Sequence, residues 1–144
     1  MAFDPIADYP LGTKRPDLVR TPGGLGLDEL TLDALRSGRL DASEMRATAE
    51  TLELQAQVAL AAGRTQLAAN LERAAELTGV PDEVILEVYT ALRPHRSTAD
   101  ELERWADRLE GEFQATMTAA FVREARAVYA KRNLLLPDEP TVQI

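Results

Sequence analysis

The chain contains no cysteine and only one histidine, His95. Without thiols, disulfide bonds, thiolate metal sites and a cysteine nucleophile are all excluded. Aromatic residues make up only 5% of the 144 residues, so the core has to be built mainly from leucine, alanine and valine. No stretch approaches the roughly 18 apolar residues that a membrane-spanning helix needs. The acidic start, MAFDPIADYP, also lacks the apolar run of a secretory signal. These absences favour a cytoplasmic protein.

Positive charge is also in short supply. Sixteen Lys and Arg residues face 24 Asp and Glu residues, which gives a net charge of −8. A free-standing nucleic-acid-binding protein usually presents a basic face, and a peripheral membrane protein a basic amphipathic helix. We therefore expect neither nucleic acid nor a membrane as a partner. The remaining composition, 45% hydrophobic and 28% charged, is that of an ordinary globular domain.

Prolines and glycines separate an irregular N-terminal segment from a helical remainder. Residues 1–27 are punctuated by prolines and show no helical periodicity. They still contain Phe3, Ile6 and Tyr9, which make the segment too apolar for a pure linker. We interpret residues 1–27 as an extended arm lying on another surface, with a disordered end as the alternative. Residues 28–144 are predicted to form a single helical domain.

The glycine-rich stretch GGLGLDE, which starts at Gly23, is interpreted as a structural turn. A dinucleotide-binding fingerprint needs a preceding strand and a third glycine at fixed spacing. This chain has Glu29 at that third position, and the preceding DLVRTP is a poor strand.

Apolar residues spaced by three and four predict several helices after this turn. Asp41 and Glu44 have the spacing of a capping box and predict one further helical turn. The residues predicted to begin or end the other helices before residue 93 are Gly38, Thr48, Gly63, Gly79 and Pro81.

The C-terminal part is predicted to be one long helix, which makes the fold all-α. Pro94 ends the preceding helix, and Thr98 with Glu101 forms a capping box for the next. The apolar period then continues over about 98–133, with Gly111 as a point of bending or close contact. Because shorter helices cannot cover such a stripe, we expect a partner chain. Leu134 to Leu136 are expected to pack on this domain or on a partner.

His95 lies between Arg93 and Arg96, and could mark either a site or a joint between helices. A carboxylate-bridged metal site needs Glu-x-x-His pairs, but Leu92 precedes His95 by three residues. The side chains of Arg93, His95 and Arg96 could bind an anion, cap the end of the preceding helix, or pair with acids of this chain or of a partner. We favour the joint.

Nucleophilic catalysis has no support in the pattern either. The serines Ser37, Ser43 and Ser97 lack the context of a nucleophile elbow, and Ser97 and Thr98 are better explained as helix caps. Acid–base catalysis by carboxylates stays open because acids are numerous. We predict no catalytic, cofactor-binding or metal-ligating residue in this chain.

Several segments, in order, resemble the small subunit of the adenosylcobalamin-dependent diol and glycerol dehydratases. The most specific piece is residues 61–102, which contains NLERAAELTGVPDEVILEVYTALRP followed by the cap RST. Further matching segments are DYPL at 8–11, TLDALRSG at 31–38, MRATAETLELQA at 45–56 and AAFVREARAVY at 119–129. The family's joint often carries an aromatic residue where this chain has His95, which favours a packing role there.

The resemblance implies a lyase assembled as a dimer of three-chain units. A large barrel subunit holds the diol and a metal ion, and the large and medium subunits hold the adenosylcobalamin between them. A radical mechanism converts a 1,2-diol to an aldehyde and water. The small subunit is helical, packs on the large one, and supplies no catalytic, cofactor-binding or metal residue.

The sequence leaves four points open. The substrate is either propane-1,2-diol or glycerol, and the complex lies either free in the cytoplasm or inside a bacterial microcompartment. The role of the N-terminal arm and the surface that contacts each partner are also undetermined. The competing interpretation is a stand-alone helical adaptor for protein interactions without an enzymatic role.

Overall fold

The computed structural model describes residues 2–137, which form helices joined by turns and contain no strand. The elements are α1 (Leu11–Lys14), 3₁₀ turns at Pro16–Leu18 and Leu27–Glu29, α2 (Leu32–Arg36), α3 (Ala49–Ala61), α4 (Thr65–Leu77), α5 (Asp82–Ala91), α6 (Ala99–Phe113) and α7 (Thr116–Arg132). The predicted all-α fold with a long C-terminal helix is confirmed.

Close contacts divide the chain into two compact units, Met1–Thr78 and Gly79–Ile144. We call them the N-terminal unit and the C-terminal unit, and each is described by itself. The predicted division into an arm, 1–27, and a single domain, 28–144, concerns independent folding and stays a prediction.

Helices α3 and α4 pack as an antiparallel pair in the N-terminal unit. Alanines fill much of the contact, since Ala56, Ala59 and Ala68 are all buried. The predicted start and end of α3 are confirmed. The hydroxyl of Thr48 accepts from the backbone N–H of Thr51 at 3.3 Å, and Gly63 lies in the left-handed region at φ 73°. Small side chains allow the two backbones to approach closely.

The arm residues form short helical turns linked by irregular backbone. Leu11 is buried on the first turn of α1. The guanidinium of Arg15 binds the carboxylates of Asp8 at 2.9 Å and Asp17 at 3.0 Å. The hydrogen bond from Arg15 holds the pKa of Asp17 below its usual value. The arm is thus held together by its own ion pairs.

The capping box predicted at Asp41 and Glu44 is not the role these residues play. The carboxylate of Asp41 accepts from the backbone N–H of Ser43 at 2.7 Å, within a run of turns. Glu44 instead reaches back to the glycine-rich turn, where it accepts from the hydroxyl of Thr21 and from Gly23 N–H at 3.1 Å. A side chain on Gly23 would collide with that carboxylate. The turn is therefore structural, as predicted, and Glu44 fixes it.

The predicted single helix over 98–133 is wrong. Gln114 adopts a left-handed backbone at φ 54°, which ends α6, and Ala115 N–H returns to the carbonyl of Leu109 at 3.0 Å. Helix α7 then runs back antiparallel along α6. The apolar period continues in phase across the break, so the pattern alone looks like one helix. Gly111, the predicted point of bending, lies inside α6.

The α6 part of the apolar stripe is therefore covered within this chain. Its α7 members Met117, Phe121 and Val128 stay 37%, 45% and 37% exposed, so they are still available to a partner chain. The residues buried between α6 and α7 or in their connection include Leu102, Ala106, Leu109, Ala115, Ala119 and Val122. Trp105 and Phe113 are half-buried, and the guanidinium of Arg108 lies 5.4 Å and 6.0 Å from their ring centroids.

Candidate interaction surfaces

The joint around His95 is built by backbone geometry. His95 has a left-handed backbone at φ 58°, its side chain is exposed, and its N–H donates to the carbonyl of Leu134 at 2.7 Å. The buried hydroxyl of Ser97 donates to the carbonyl of Ala91 at 2.9 Å, which satisfies the end of α5. Thr98 and Glu101 form the predicted capping box of α6. These contacts give His95 a structural position.

The segment after α7 completes this joint. The hydroxyl of Tyr129 donates to the carbonyl of Leu92 at 2.6 Å, and Leu136 N–H donates to the carbonyl of Ser97 at 2.9 Å. Leu134 and Leu135 are half-buried, whereas Leu136 is exposed. The first two leucines thus pack on this chain as expected. The tail beyond Pro137 lies outside the described residues.

The arginines beside His95 do not do what the sequence suggested. Arg93 and Arg96 are both exposed, and neither has an ion pair with any residue between 2 and 137. The end of α5 is capped by Ser97 and Tyr129 instead. Neither arginine therefore pairs with an acid between residues 2 and 137, and pairing with a partner stays a prediction.

Arg96 opens onto a groove of about 770 Å³ between α5 and α6, which we call the arginine groove. Arg104 and Arg108 line the same groove from α6, together with Leu86 and Trp105. Arg108 pairs with Glu112 at 3.0 Å, but Arg104 is exposed and has no ion pair within the described chain. Sequence reasoning missed Arg104 and Arg108. Their spacing of four residues, which places them on one helix face, was the available signal.

The acids on the other side of α6 are engaged within the chain. The guanidinium of Arg123 binds Glu103 at 2.8 Å, Asp107 at 2.7 Å and Glu110 at 2.9 Å. The hydrogen bonds that Arg123 donates to these three carboxylates raise the pKa of Arg123. Because Arg123 lies on α7 and the acids on α6, this cluster ties the two helices together.

A second, mostly apolar groove lies within the N-terminal unit. It is lined by Ile6 and Tyr9 of the arm and by Val58, Leu67 and Leu71 of α3 and α4. Ile6 is 75% exposed and Tyr9 is 57% exposed, so the arm presents large apolar side chains to solvent. Such exposure on a folded chain is typical of a contact surface.

The described residues provide neither a metal-binding cluster nor a membrane-spanning helix. The part of the chain that the structure describes holds no group of three His, Asp or Glu residues arranged to bind a metal ion. Within the same part, no helix has the length and apolarity needed to cross a bilayer.

Comparison with known proteins identifies the family. Residues 5–136 match the model of a family described as dehydratase small subunit. This chain belongs to the dehydratase small subunit family. The propanediol dehydratase small subunit of Citrobacter freundii is 54% identical over 134 residues, covering 93% of this chain and 78% of that protein. The corresponding subunit of Salmonella typhimurium (strain LT2) is 52% identical over the same length and the same shares of the two chains.

Membership of this family identifies the chain as one subunit of a dehydratase that has others. The family match starts inside the arm and extends over both units, so it includes most of the arm as well as the helices. The two grooves and the exposed apolar side chains are thus features of a protein that works beside other subunits.

Proposed function

We propose that this chain is the non-catalytic small subunit of a propanediol dehydratase, which converts a 1,2-diol to an aldehyde and water. The single observation that carries the proposal is the identity of 52–54%, over 93% of the chain, to two propanediol dehydratase small subunits. Identity at this level, without large gaps in coverage, supports the same place in the same type of complex. Propane-1,2-diol is accordingly the first substrate to test, and glycerol the second.

The proposal includes a large barrel subunit and a medium subunit as partners, in a dimer of three-chain units. Adenosylcobalamin would supply the radical chemistry, and a metal ion would help to hold the diol. Both groups are assigned to the partner subunits. The proposed localisation is the cytoplasm, where the complex is either free or enclosed in a bacterial microcompartment.

Within residues 2–137, no group of possible ligands is arranged to hold the metal ion. A metal site needs several carboxylates that are free to bind the ion. The clustered carboxylates of Glu103, Asp107 and Glu110 are instead paired with the guanidinium of Arg123. The one imidazole, that of His95, lies exposed on a joint, outside any group of three possible ligands within residues 2–137. We derive no chemical step from this chain, and its proposed contribution is to pack on the large subunit.

The proposal is tested by co-expression with the large and medium subunits of a propanediol dehydratase. The tagged small chain is purified, its partners are identified by mass spectrometry, and the eluate is assayed with adenosylcobalamin for aldehyde formation from propane-1,2-diol and glycerol. The expected result is an active complex of all three chains. Matched controls are the small chain alone and the large and medium chains without it.

Two results would contradict the proposal. One is a small chain that purifies as a stable monomer or homodimer, or with unrelated proteins, which favours the adaptor. The other is aldehyde formation by the small chain alone, since the proposal gives it no catalytic group. Preference for glycerol over propane-1,2-diol would overturn only the substrate assignment.

A further inference from the structure

We infer that the arginine groove, defined above by Arg96, Arg104, Arg108, Leu86 and Trp105, is the seat of an acidic segment of a partner subunit. The inference rests on the proposed function, because it takes the partner from the dehydratase complex. It adds the surface that is used and the chemistry that the surface recognises, namely carboxylates accompanied by an apolar side chain.

The first observation that supports an acidic occupant is the presence, in the groove of an acidic protein, of arginines that have no ion pair within the described residues. The whole chain has eight more acids than bases, so an arginine has ample opportunity to find an acid within it. Arg15, Arg36, Arg123 and Arg126 all do so. Arg96 and Arg104 have no ion pair within residues 2–137, although both side chains are exposed. Two guanidinium groups left unpaired in one groove of an acidic protein present planar donors that match carboxylates.

The arginines of the groove outnumber its acids. Three guanidinium groups, those of Arg96, Arg104 and Arg108, face the carboxylates of Glu87 and Glu101. Arg108 pairs with Glu112 outside the groove lining, and the Glu101 carboxylate accepts from the helix N-terminus at 2.8 Å as part of the capping box. Glu87 is thus the one carboxylate of the lining without a structural role, against the two guanidinium groups of Arg96 and Arg104 that have no ion pair within the described residues. An acidic partner segment fits that imbalance better than a basic one.

The second observation is the apolar and aromatic surface within the groove, which favours a protein segment over a small anion. Leu86 is 64% exposed on α5, and the half-buried ring of Trp105 lies beneath the guanidinium of Arg108. Tryptophan and arginine are enriched among the residues that dominate binding energies at protein interfaces. An apolar anchor beside two unpaired arginines is suited to a protein segment. A small inorganic anion would use the arginines and leave Leu86 in water.

The test compares two double variants in binding to a complex of the large and medium subunits. Arg96→Glu/Arg104→Glu reverses the charge of the groove. Arg39→Glu/Arg132→Glu makes the same charge change at two exposed arginines that line neither groove and have no ion pair within the described residues. Affinity is measured at low and at high salt, and circular dichroism checks that each variant is folded.

We expect the groove variant to raise the dissociation constant by roughly 30-fold or more, as loss of interfacial charge pairs does. The control variant should stay within about threefold of wild type, because rim charges have small effects on affinity. The salt dependence of binding should weaken only in the groove variant. Leu86→Ala should weaken binding by roughly fivefold or more while leaving the fold intact.

Three results would overturn the inference. Equal binding by wild type and the groove variant would refute it while leaving the proposed function standing. A wild-type dimer that the groove variant cannot form would make the occupant a second copy of the chain. Competition by inorganic phosphate alone, with subunit binding unaffected by charge reversal, would reduce the groove to an anion site. If wild type itself failed to bind the two subunits, the proposed function would fail first.

Discussion

Replacing Leu109 by alanine should destabilise the C-terminal unit far more than the same change at Leu86. Both substitutions delete three carbons from a helical leucine, but Leu109 is 1% exposed and Leu86 is 64% exposed. The deleted carbons of Leu109 are worth about 2.4 kcal/mol of transfer free energy, at roughly 0.8 kcal/mol per carbon. A cavity in the packed contact between α6 and α7 adds to this. We expect Leu109→Ala to lower the free energy of unfolding by about 3–5 kcal/mol.

Leu86→Ala is the matched control. The exposed side chain keeps only about a third of that transfer term and leaves no cavity, so the expected loss is below ~1 kcal/mol. Equilibrium unfolding in urea, followed by the fluorescence of Trp105, measures both variants, because this single tryptophan lies on α6 and reports the C-terminal unit. A loss below about 1 kcal/mol for Leu109→Ala, or equal losses for the two variants, would refute the described packing of α6 on α7.

Three further perturbations have expected outcomes. Gln114→Gly should raise the free energy of unfolding by about 1 kcal/mol, measured in urea, because glycine adopts the left-handed backbone without a steric penalty. Gly111→Ala should raise it by about 1 kcal/mol as well, since the position is inside α6 and an added Cβ meets open space; a loss would contradict the helix there. Acidification should weaken the pair of Arg15 and Asp17. The pKa of Asp17 is lowered from 3.8, so the pair stabilises the fold above that pH and is lost as the pH falls through the lower value. Carboxyl NMR titration should find this lowered pKa in wild type and the usual one in Arg15→Met.

Helix caps and glycine turns were predictable because they depend on a few adjacent residues. Thr48, Thr98 and Glu101 cap as their spacing predicts, and Gly38 and Gly63 adopt left-handed backbones. The sequence resemblance supplied the family, which the comparisons then confirmed.

The break at Gln114 was not predictable in the same way. Glutamine has no preference for a left-handed backbone, and the apolar spacing from Phe113 to Met117 continues across it. Only the packing of α7 back onto α6 selects that conformation. Local spacing alone therefore joins two helices into one.

The interaction surfaces likewise depend on packing between elements that local spacing does not relate. The arginine groove combines Arg96 from the joint, Arg104 from α6 and Leu86 from α5, and no local spacing rule predicts which residues of different elements share a groove. Glu44 likewise fits a local capping box by spacing but binds Thr21 and Gly23, which precede it by more than 20 residues. Long-range contacts decided these roles.

The joint after α5 also has a consequence for how the chain is made. The carbonyl of Leu92 accepts from the hydroxyl of Tyr129, and the N–H of His95 donates to the carbonyl of Leu134, so both bonds need residues that come much later in the chain. A ribosome delivers these partners last, so Ser97 can bind the Ala91 carbonyl early, while water satisfies the Leu92 carbonyl and the His95 N–H until the segment after α7 has been made. The joint is thus one of the last parts of the described chain that can close, although it precedes both α6 and α7 in the sequence.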